Sequence, residues 1–361
     1  MLINELSELQ NAVSWNTRKT PVTCINVIQE THDVKTFQFQ ADESQLFHFK
    51  PGQFIGLNLE INGKKHNRSY TIASSPTRPH ILEVTIKKEK GGAVSPWLHE
   101  NIKRGSKIEL RGPAGRFNNL DIQANKVLLI SAGSGITPMM SMSRFWSDTD
   151  PNKNIIFLNW VRGVEDIIFR REIALLDAKS ESFKPEIFCT QPGLSENWLG
   201  KRGRINATSL TDMVSDLNER TIFCCGPEGF MESVKTCLQS LNFDMTNYHD
   251  ESFDPGGKKK KANAENKIES AKIDPIFTLK LKKSNIELDV SSDDILLNVL
   301  ESANVNIDSG CRGGNCGACH VVKLSGETQT KVEAGLTDEY RQQGQILTCT
   351  TRLLSDVELD I

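Results

Sequence analysis

Apolar and polar positions along this 361-residue chain fall into three successive patterns. From about residue 21 to residue 120, short segments alternate with period two: VTCINVIQE, KTFQFQ, FIGLNLEI, SYTIAS, ILEVTIKK and KIELRGP. The turn signals Pro51-Gly52, Asn62-Gly63 and Arg104-Gly105 fall between them. Alternation of this kind predicts half-buried strands, and a series of them predicts a small antiparallel β-barrel. At Lys126 the period changes. KVLLISAG, NIIFLNWV, PEIFCT and TIFCCG are continuous apolar runs, interleaved with the helix candidates MMSMSRFW, FRREIALLDAK, TSLTDMVSDLN and GFMESVKTCLQSL. This predicts an α/β domain with a parallel sheet, whose ligands bind at the carboxyl ends of its strands. The third pattern opens with FTLKLKKSNIELDV, a hairpin turning near Ser284-Asn285. The helix candidate ILLNVLESAN and a loop rich in glycine and cysteine follow.

The expected domains are residues 21–122, 123–253 and 275–361. Leu2, Leu6, Leu9 and Val13 repeat at helical spacing, so residues 1–20 are expected to form an amphipathic helix, packed on the body or docking a partner. Residues 254–274, DPGGKKKKANAENKIESAKID, hold few large apolar groups and are expected to be a flexible linker. Its lysine run at 258–261 suits a solvated linker or an anionic partner.

Composition changes this picture little. With 38% hydrophobic and 25% charged residues and a net charge of −3, nothing in bulk points to nucleic acid or lipid. Charge is uneven, however: residues 275–361 carry 8 basic and 13 acidic groups, which makes the last domain acidic. The longest apolar runs, such as residues 127–130, are of strand length, so no membrane span is expected, and the N-terminus lacks the features of a signal peptide. Four of the nine cysteines crowd into one spacing pattern, unlike a secreted disulfide scaffold, and a reducing cytoplasm is expected.

That pattern is Cys311-Arg-Gly-Gly-Asn-Cys316-Gly-Ala-Cys319 with a distant Cys349, or C-x4-C-x2-C and a fourth cysteine. It is the plant-type ferredoxin spacing for a [2Fe-2S] cluster. Four thiolates must converge on two irons, and glycines at 310, 313, 314 and 317 let the loop curl with its amides toward the sulfurs. A structural zinc site also takes four thiolates but favours paired C-x2-C knuckles, and only one such pair is present. Residues 276–361 resemble the ferredoxin family throughout, with CRGGNCGACHV as the cluster loop and LTCTTR around the fourth ligand. The resemblance implies a β-grasp fold. Cys24, Cys189, Cys224 and Cys237 lie in strand or helix patterns and are read as small buried hydrophobes.

Further chemistry lies upstream. Arg68-Ser69-Tyr70-Thr71 ends a strand pattern with a charged fork, an aromatic plate and hydroxyls. Gly92-Ala93-Val94-Ser95 then places a glycine turn and a serine at a helix start, an arrangement whose amides bind phosphate. Ser131-Ala-Gly133-Ser134-Gly135-Ile136-Thr137-Pro138 follows a strand and opens a helix. It departs from the Rossmann fingerprint, since Pro138 stands where the third glycine or alanine belongs, yet proline is comfortable in a first helical turn. Phe223-Cys-Cys225-Gly226-Pro227-Glu228-Gly229 ends another apolar strand in a tight turn. Each residue also has a plainer reading: Tyr70 as barrel packing, Ser95 as a helix cap, Cys225 as an inert buried thiol, Phe253 as core.

In this order RSYT, GGAVS, GPAGRF, AGSGITP and CCGPEGF resemble the ferredoxin-NADP reductase superfamily across residues 21–253. The resemblance implies that Arg68 binds the flavin phosphate, Tyr70 stacks on the isoalloxazine and Thr71 bonds near N5, with Ser69 beside them. It gives residues 92–95 the pyrophosphate of FAD and Gly133, Ser134, Gly135, Ile136 and Thr137 the nicotinamide dinucleotide. Cys225, Gly226 and Pro227 would border the nicotinamide, while Glu251 and Phe253 close the flavin face and Glu251 handles protons. NADH is preferred to NADPH because CTQPGLSENWLGKRGRI looks like the loop of NADH-using relatives, although Lys201, Arg202 and Arg204 could pair with a 2'-phosphate.

The complete architecture resembles the reductase components of Rieske-type and related multicomponent oxygenases, with those of glycine betaine or other quaternary-amine demethylating systems first, and equally the NADH reductase of the hybrid-cluster protein. The implied function is electron transfer from NADH through FAD and [2Fe-2S] to a separate acceptor protein, with nicotinamide as the sole organic substrate. A flavin is needed between the carriers because a nicotinamide delivers two electrons as hydride and a cluster accepts one. A non-catalytic electron-transfer or redox-sensing subunit is the alternative from another class.

Overall fold

The computed structural model describes residues 20–42, 46–191, 193, 198–253, 275–303, 305, 307, 309, 312–314, 317–333 and 335–361. The expected linker and, apart from Thr20, the expected N-terminal helix lie outside these residues. The chain divides into two compact units, Met1–Phe253 and Asp254–Ile361.

The first unit begins with an antiparallel sheet of β1 (Thr20–Thr31), β2 (Val34–Ala41), β3 (Phe54–Ile61), β4 (Lys64–Thr71), β5 (Leu82–Lys87) and β6 (Lys107–Ala114), in the order β4-β3-β6-β1-β2-β5. Alternate side chains, among them Phe37, Phe39, Ile55, Leu57, Val84 and Leu110, fill one core. The expected barrel takes the form of a sheet whose edges touch at one end. Just beyond β4, Ile72 bridges to Val84 of β5, and the Ala73 N–H donates to the Glu83 carbonyl at 2.8 Å. Helix α1 (Val94–Asn101) seats Val94 and Leu98 in the same core.

A parallel sheet follows, made of β7 (Lys126–Ala132), β8 (Asn154–Val161), β9 (Phe183–Cys189), β10 (Lys201–Arg202), β11 (Thr221–Cys225) and β12 (Tyr248–Glu251). Its order is β10-β9-β8-β7-β11-β12. The chain winds outward from β7 to β10, then returns to the other side of β7. The crevice of a doubly wound sheet opens where this reversal occurs, here between the carboxyl ends of β7 and β11. Helices α2 (Ile136–Thr149), α3 (Arg170–Lys179), α4 (Ala207–Met213) and α5 (Glu228–Ser240) make the crossovers. Both faces are covered, one by a core including Val127, Leu129, Met139, Met140 and Phe223, the other by one including Leu128, Ile130, Ile222, Val234 and Leu238.

The second unit holds the sheet β14-β13-β19-β15-β17, formed by β13 (Ile276–Leu281), β14 (Ile286–Ser291), β15 (His320–Ser325), β17 (Gln345–Leu347) and β19 (Val357–Leu359). A small ladder pairs β16 (Thr328–Thr330) with β18 (Thr351–Leu353). The β13–β14 hairpin turns at Asn285, whose φ of 51° suits asparagine. Helix α6 (Leu296–Ser302) packs Leu296 and Leu300 onto the sheet, and α7 (Asp338–Gln342) is capped by Thr337.

Candidate functional site

Strand β4 carries the first group. Tyr70 pairs with Ile55 and Thr71 with Phe54 of β3, which fixes their spacing along the strand. Arg68 is exposed, and one guanidinium nitrogen donates to the Asn67 carbonyl at 2.8 Å. Tyr70 is half-buried against the sheet core. Burial pushes its phenol up to about 12, with Arg68 opposing the shift and Glu89 adding to it. The hydroxyls of Ser69 and Thr71 are buried and lack a hydrogen-bond partner among the described residues. Leaving such a group unmatched costs about 1–3 kcal/mol, so a row of them at a strand end fits a polar ligand lying across β4.

Glu89 leads into the glycine turn. The Ser95 hydroxyl accepts from the Glu89 N–H at 2.9 Å, and the Gly92 N–H donates to the Glu89 carbonyl at 3.0 Å, which staples the turn before α1. Ser95 is therefore not the helix cap. Ala93 holds that position without a side-chain bond, leaving the amides of the first turn uncapped by any side chain.

At the reversal point of the parallel sheet, Gly133–Gly135 form a short 3-10 turn that runs into α2. Gly133 has φ of 53° and nothing within 4 Å of where a Cβ would lie, so its outer face is open. Gly135 is closely covered: a Cβ there would stand 2.2 Å from the Cys225 carbonyl oxygen. Thr137 donates to the Ser134 carbonyl at 3.0 Å and secures the turn, while Ile136 and Pro138 are buried beneath it. Below, the Ser131 hydroxyl donates to Asn159 Oδ1 at 3.0 Å.

Strand register sets Ser131, Cys225 and Glu251 abreast on β7, β11 and β12. The Cys225 side chain is wholly enclosed, packed with Phe117 and Phe223, and burial drives its thiol well above the ordinary range, with Glu251 adding to the effect. Its inert reading is the one this geometry favours. Gly226 is required here too, since a Cβ would meet Phe230 at 2.9 Å and the Ala132 side chain at 3.2 Å. Pro227 caps α5, Glu251 is half-buried, and Phe253 is exposed two residues beyond.

Sequence reasoning missed Arg144. This arginine on α2 is buried and serves four partners, Ala73 just beyond β4, Glu83 on β5, Glu172 on α3 and Phe169 at the start of α3. The available signal was a lone guanidinium inside the apolar stretch MMSMSRFW.

In the second unit, Cys319 and Cys349 are buried together with Leu297, Leu336 and Leu347, while Cys311 and Cys316 lie outside the described residues. The Thr348 N–H and hydroxyl both donate to the Cys319 carbonyl, at 3.2 and 3.1 Å, tying the segments of the two cysteines. Gly314 and Gly317 have φ of 75° and 74°. A Cβ would strike the Val332 carbonyl oxygen at 2.4 Å in the first and that of Gly335 at 2.5 Å in the second. A thiol at the end of a tightly curled glycine loop, with a second buried thiol in the same cluster, suits an iron-sulfur site. Among the described residues of both units, no helix is long and apolar enough to cross a membrane.

Comparison with known proteins agrees with this geometry. Residues 21–119 match the oxidoreductase FAD-binding domain, 129–236 the oxidoreductase NAD-binding domain and 279–354 the 2Fe-2S iron-sulfur cluster binding domain. The glycine betaine monooxygenase reductase subunit of Pseudomonas aeruginosa is 40% identical over 353 residues, covering 96% of each chain. The stachydrine N-demethylase reductase subunit of Rhizobium meliloti is 35% identical over 342 residues, covering 94% of this chain and 96% of its own. The solved structure of phthalate dioxygenase reductase superposes with a TM-score of 0.64 at 22% identity, over 95% of this chain and 98% of its own, which is a likeness of fold. The chain thus belongs to the family of oxidoreductases that join FAD-binding, NAD-binding and [2Fe-2S] domains in one polypeptide, the family of the glycine betaine monooxygenase reductase subunits.

Proposed function

We propose that this protein is the reductase of an oxygenase system, oxidising NADH and delivering single electrons to a separate oxygenase component. The observation that carries the reading is 40% identity along 96% of a reductase subunit of this kind, on a chain with all three modules in the same order. When bound, FAD accepts hydride from the nicotinamide and releases the electrons singly to the [2Fe-2S] cluster.

The chain's own residues divide the work. Arg68 pairs with the flavin phosphate, Tyr70 covers the isoalloxazine, and the hydroxyls of Ser69 and Thr71 meet its polar edge. Residues 92–95 take the pyrophosphate, through the amides of Ala93, Val94 and Ser95 that no side chain caps. Residues 133–137 take the dinucleotide of NADH, the open face of Gly133 admitting its phosphates, while Gly226 and Pro227 with the Cys225 backbone border the nicotinamide. Glu251 and Phe253 close the flavin face. Cys311, Cys316, Cys319 and Cys349 hold the cluster. The domains assigned to these tasks are residues 21–122, 123–253 and 275–361. The acceptor favoured is the oxygenase component of a quaternary-amine demethylating system, and the cytoplasm suits thiols that form no disulfide, at Cys24, Cys224, Cys225 and Cys237.

Anaerobic addition of NADH to the purified holoprotein tests this. Rapid loss of flavin and cluster absorbance is expected, followed by reoxidation when an oxygenase component is added. An unchanged spectrum would favour a redox-sensing subunit.

A further inference from the structure

The segment after β4 faces α2 along one stripe. Ser141 donates to the Ser74 carbonyl at 2.8 Å, Arg144 Nη1 donates to the Ala73 carbonyl at 2.7 Å, and Asp148 accepts from the Thr77 hydroxyl at 2.5 Å and from Arg78 at 2.9 Å. Positions 141, 144 and 148 lie three and four residues apart, hence on one helix face. The flavin residues Arg68–Thr71 stand at the start of the segment they grip. The turn at Gly133–Gly135 stands at the start of the helix that grips it. Two candidate half-sites are thus joined through a single seam between helix and loop, and the buried charged member of the seam is Arg144.

Its chemistry is directional. Nη1 reaches the Ala73 carbonyl just beyond β4 and Glu83 Oε2 (2.8 Å) on β5, while Nε and Nη2 take Glu172 Oε1 and Oε2 (2.7 and 2.5 Å) on α3. The guanidinium also lies 4.9 Å from the Phe169 ring centroid. Glu83 is held from its other side by Gln38 at 2.6 Å. A planar fork is rigid where a lysine or a hydrophobic contact would slide, so Arg144 fixes direction as well as distance between the sheets.

We infer that Arg144 is a positioning residue for hydride transfer: by tying α2 to Ala73 and Glu83 it sets how the nicotinamide presented by the Gly133–Thr137 turn meets the flavin held by Arg68–Thr71. Resting on the NADH-to-FAD reading above, this assigns to that reaction a residue outside both candidate half-sites. Hydride transfer falls steeply with misplacement, and an error of about 1 Å can cost about a hundredfold.

The test is anaerobic stopped-flow reduction of the holoprotein by NADH, with FAD content and the long-wavelength absorbance of the stacked nicotinamide–flavin pair measured alongside. For Arg144→Gln the limiting rate of flavin reduction is expected to fall by about 10- to 100-fold. The half-saturating NADH concentration should move by no more than about twofold, the pattern of lost alignment rather than lost binding. FAD content should hold and the stacking band weaken. Arg144→Lys, which keeps the charge, should recover part of the rate. A wild-type limiting rate in Arg144→Gln with full FAD content overturns the inference. If Arg144→Gln fails to fold or retain FAD, Glu83→Gln decides: it leaves the Arg144–Glu172 pair intact, so slowed transfer with FAD retained supports the inference and a wild-type rate overturns it. Wild-type protein whose flavin NADH does not reduce would instead sink the reductase reading itself.

Discussion

Gly135 and Cys225 touch where β7 and β11 end, and a Cβ on the glycine would lie 2.2 Å from the cysteine carbonyl oxygen. Backbone cannot yield as a flexible side chain does, so Gly135→Ala must push the turn away from β11. Gly133 is the converse case, with φ of 53° but open space around it. Alanine should cost about 1–2 kcal/mol at Gly133 through the left-handed conformation, and about 3 kcal/mol or more at Gly135 through overpacking. Thermal unfolding of the two variants checks this order; equal losses would show that the close approach is not enforced.

Cys225 should behave as a hydrophobe. Burial holds its thiol well above the ordinary range, which leaves almost no thiolate at neutral pH. Iodoacetamide should therefore leave Cys225 unmodified in the native protein at pH 8 and label it once the protein is unfolded, as peptide mapping would reveal. Native labelling on the timescale of exposed thiols would contradict the enclosed packing.

The sequence was most informative where period and burial coincide. FIGLNLEI is β3 and NIIFLNWV is β8, the latter buried on both faces as a continuous apolar run implies, and FRREIALLDAK spans α3, which turns Ile173 into the core. The helix expected over TSLTDMVSDLN stops at Met213, and Leu217–Glu219 form a separate 3-10 turn. β4 begins at Lys64, far earlier than SYTIAS suggests, since its polar first half is held by pairing with β3 rather than by burial. In the same way, the glycine and serine motifs of the candidate site were legible because backbone curvature demands particular residues locally. Arg144 was not, because its partners Ala73, Glu83 and Glu172 are brought together only by tertiary packing.

Asp216 supplies a pH signature. Its hydrogen bonds to Arg220, with Lys126 adding another, lower its carboxyl from 3.8 to about 2. A group with a depressed folded value contributes stability above its unfolded value and loses it as pH falls through the folded one, so this contribution should fade between about pH 4 and pH 2. Asp216→Ala leaves the buried Arg220 guanidinium poorly balanced and should cost about 3 kcal/mol at pH 7. The difference between wild type and Asp216→Ala in urea midpoint should shrink in acid; a constant difference from pH 7 to pH 2 would refute the linkage.

Tyr70 offers a test of ring against hydroxyl. With its phenol raised to about 12 by burial, it stays protonated through the working range, so the rate of NADH oxidation should show no inflection from Tyr70 below pH 10. Tyr70→Phe should keep FAD bound with only a few-fold weakening, whereas Tyr70→Ala removes the plate and should lose most of the flavin on gel filtration. Equal retention in both variants would deny the ring any part in holding FAD.

The cluster loop can be broken without touching a cysteine. Gly317 combines φ of 74° with a Cβ position 2.5 Å from the Gly335 carbonyl oxygen, so alanine there is both strained and obstructed. The obstruction falls two residues before Cys319, the thiol proposed as a cluster ligand. Gly317→Ala in the full-length chain should therefore lower the iron content and visible cluster absorbance several-fold, while FAD content and NADH-driven flavin reduction persist, since the FAD- and NAD-binding domains lie in the other compact unit. Electron delivery to an oxygenase component should fall in proportion to iron. Wild-type iron and absorbance in this variant would mean that the close approach of Gly317 and Gly335 is not what shapes the cluster loop.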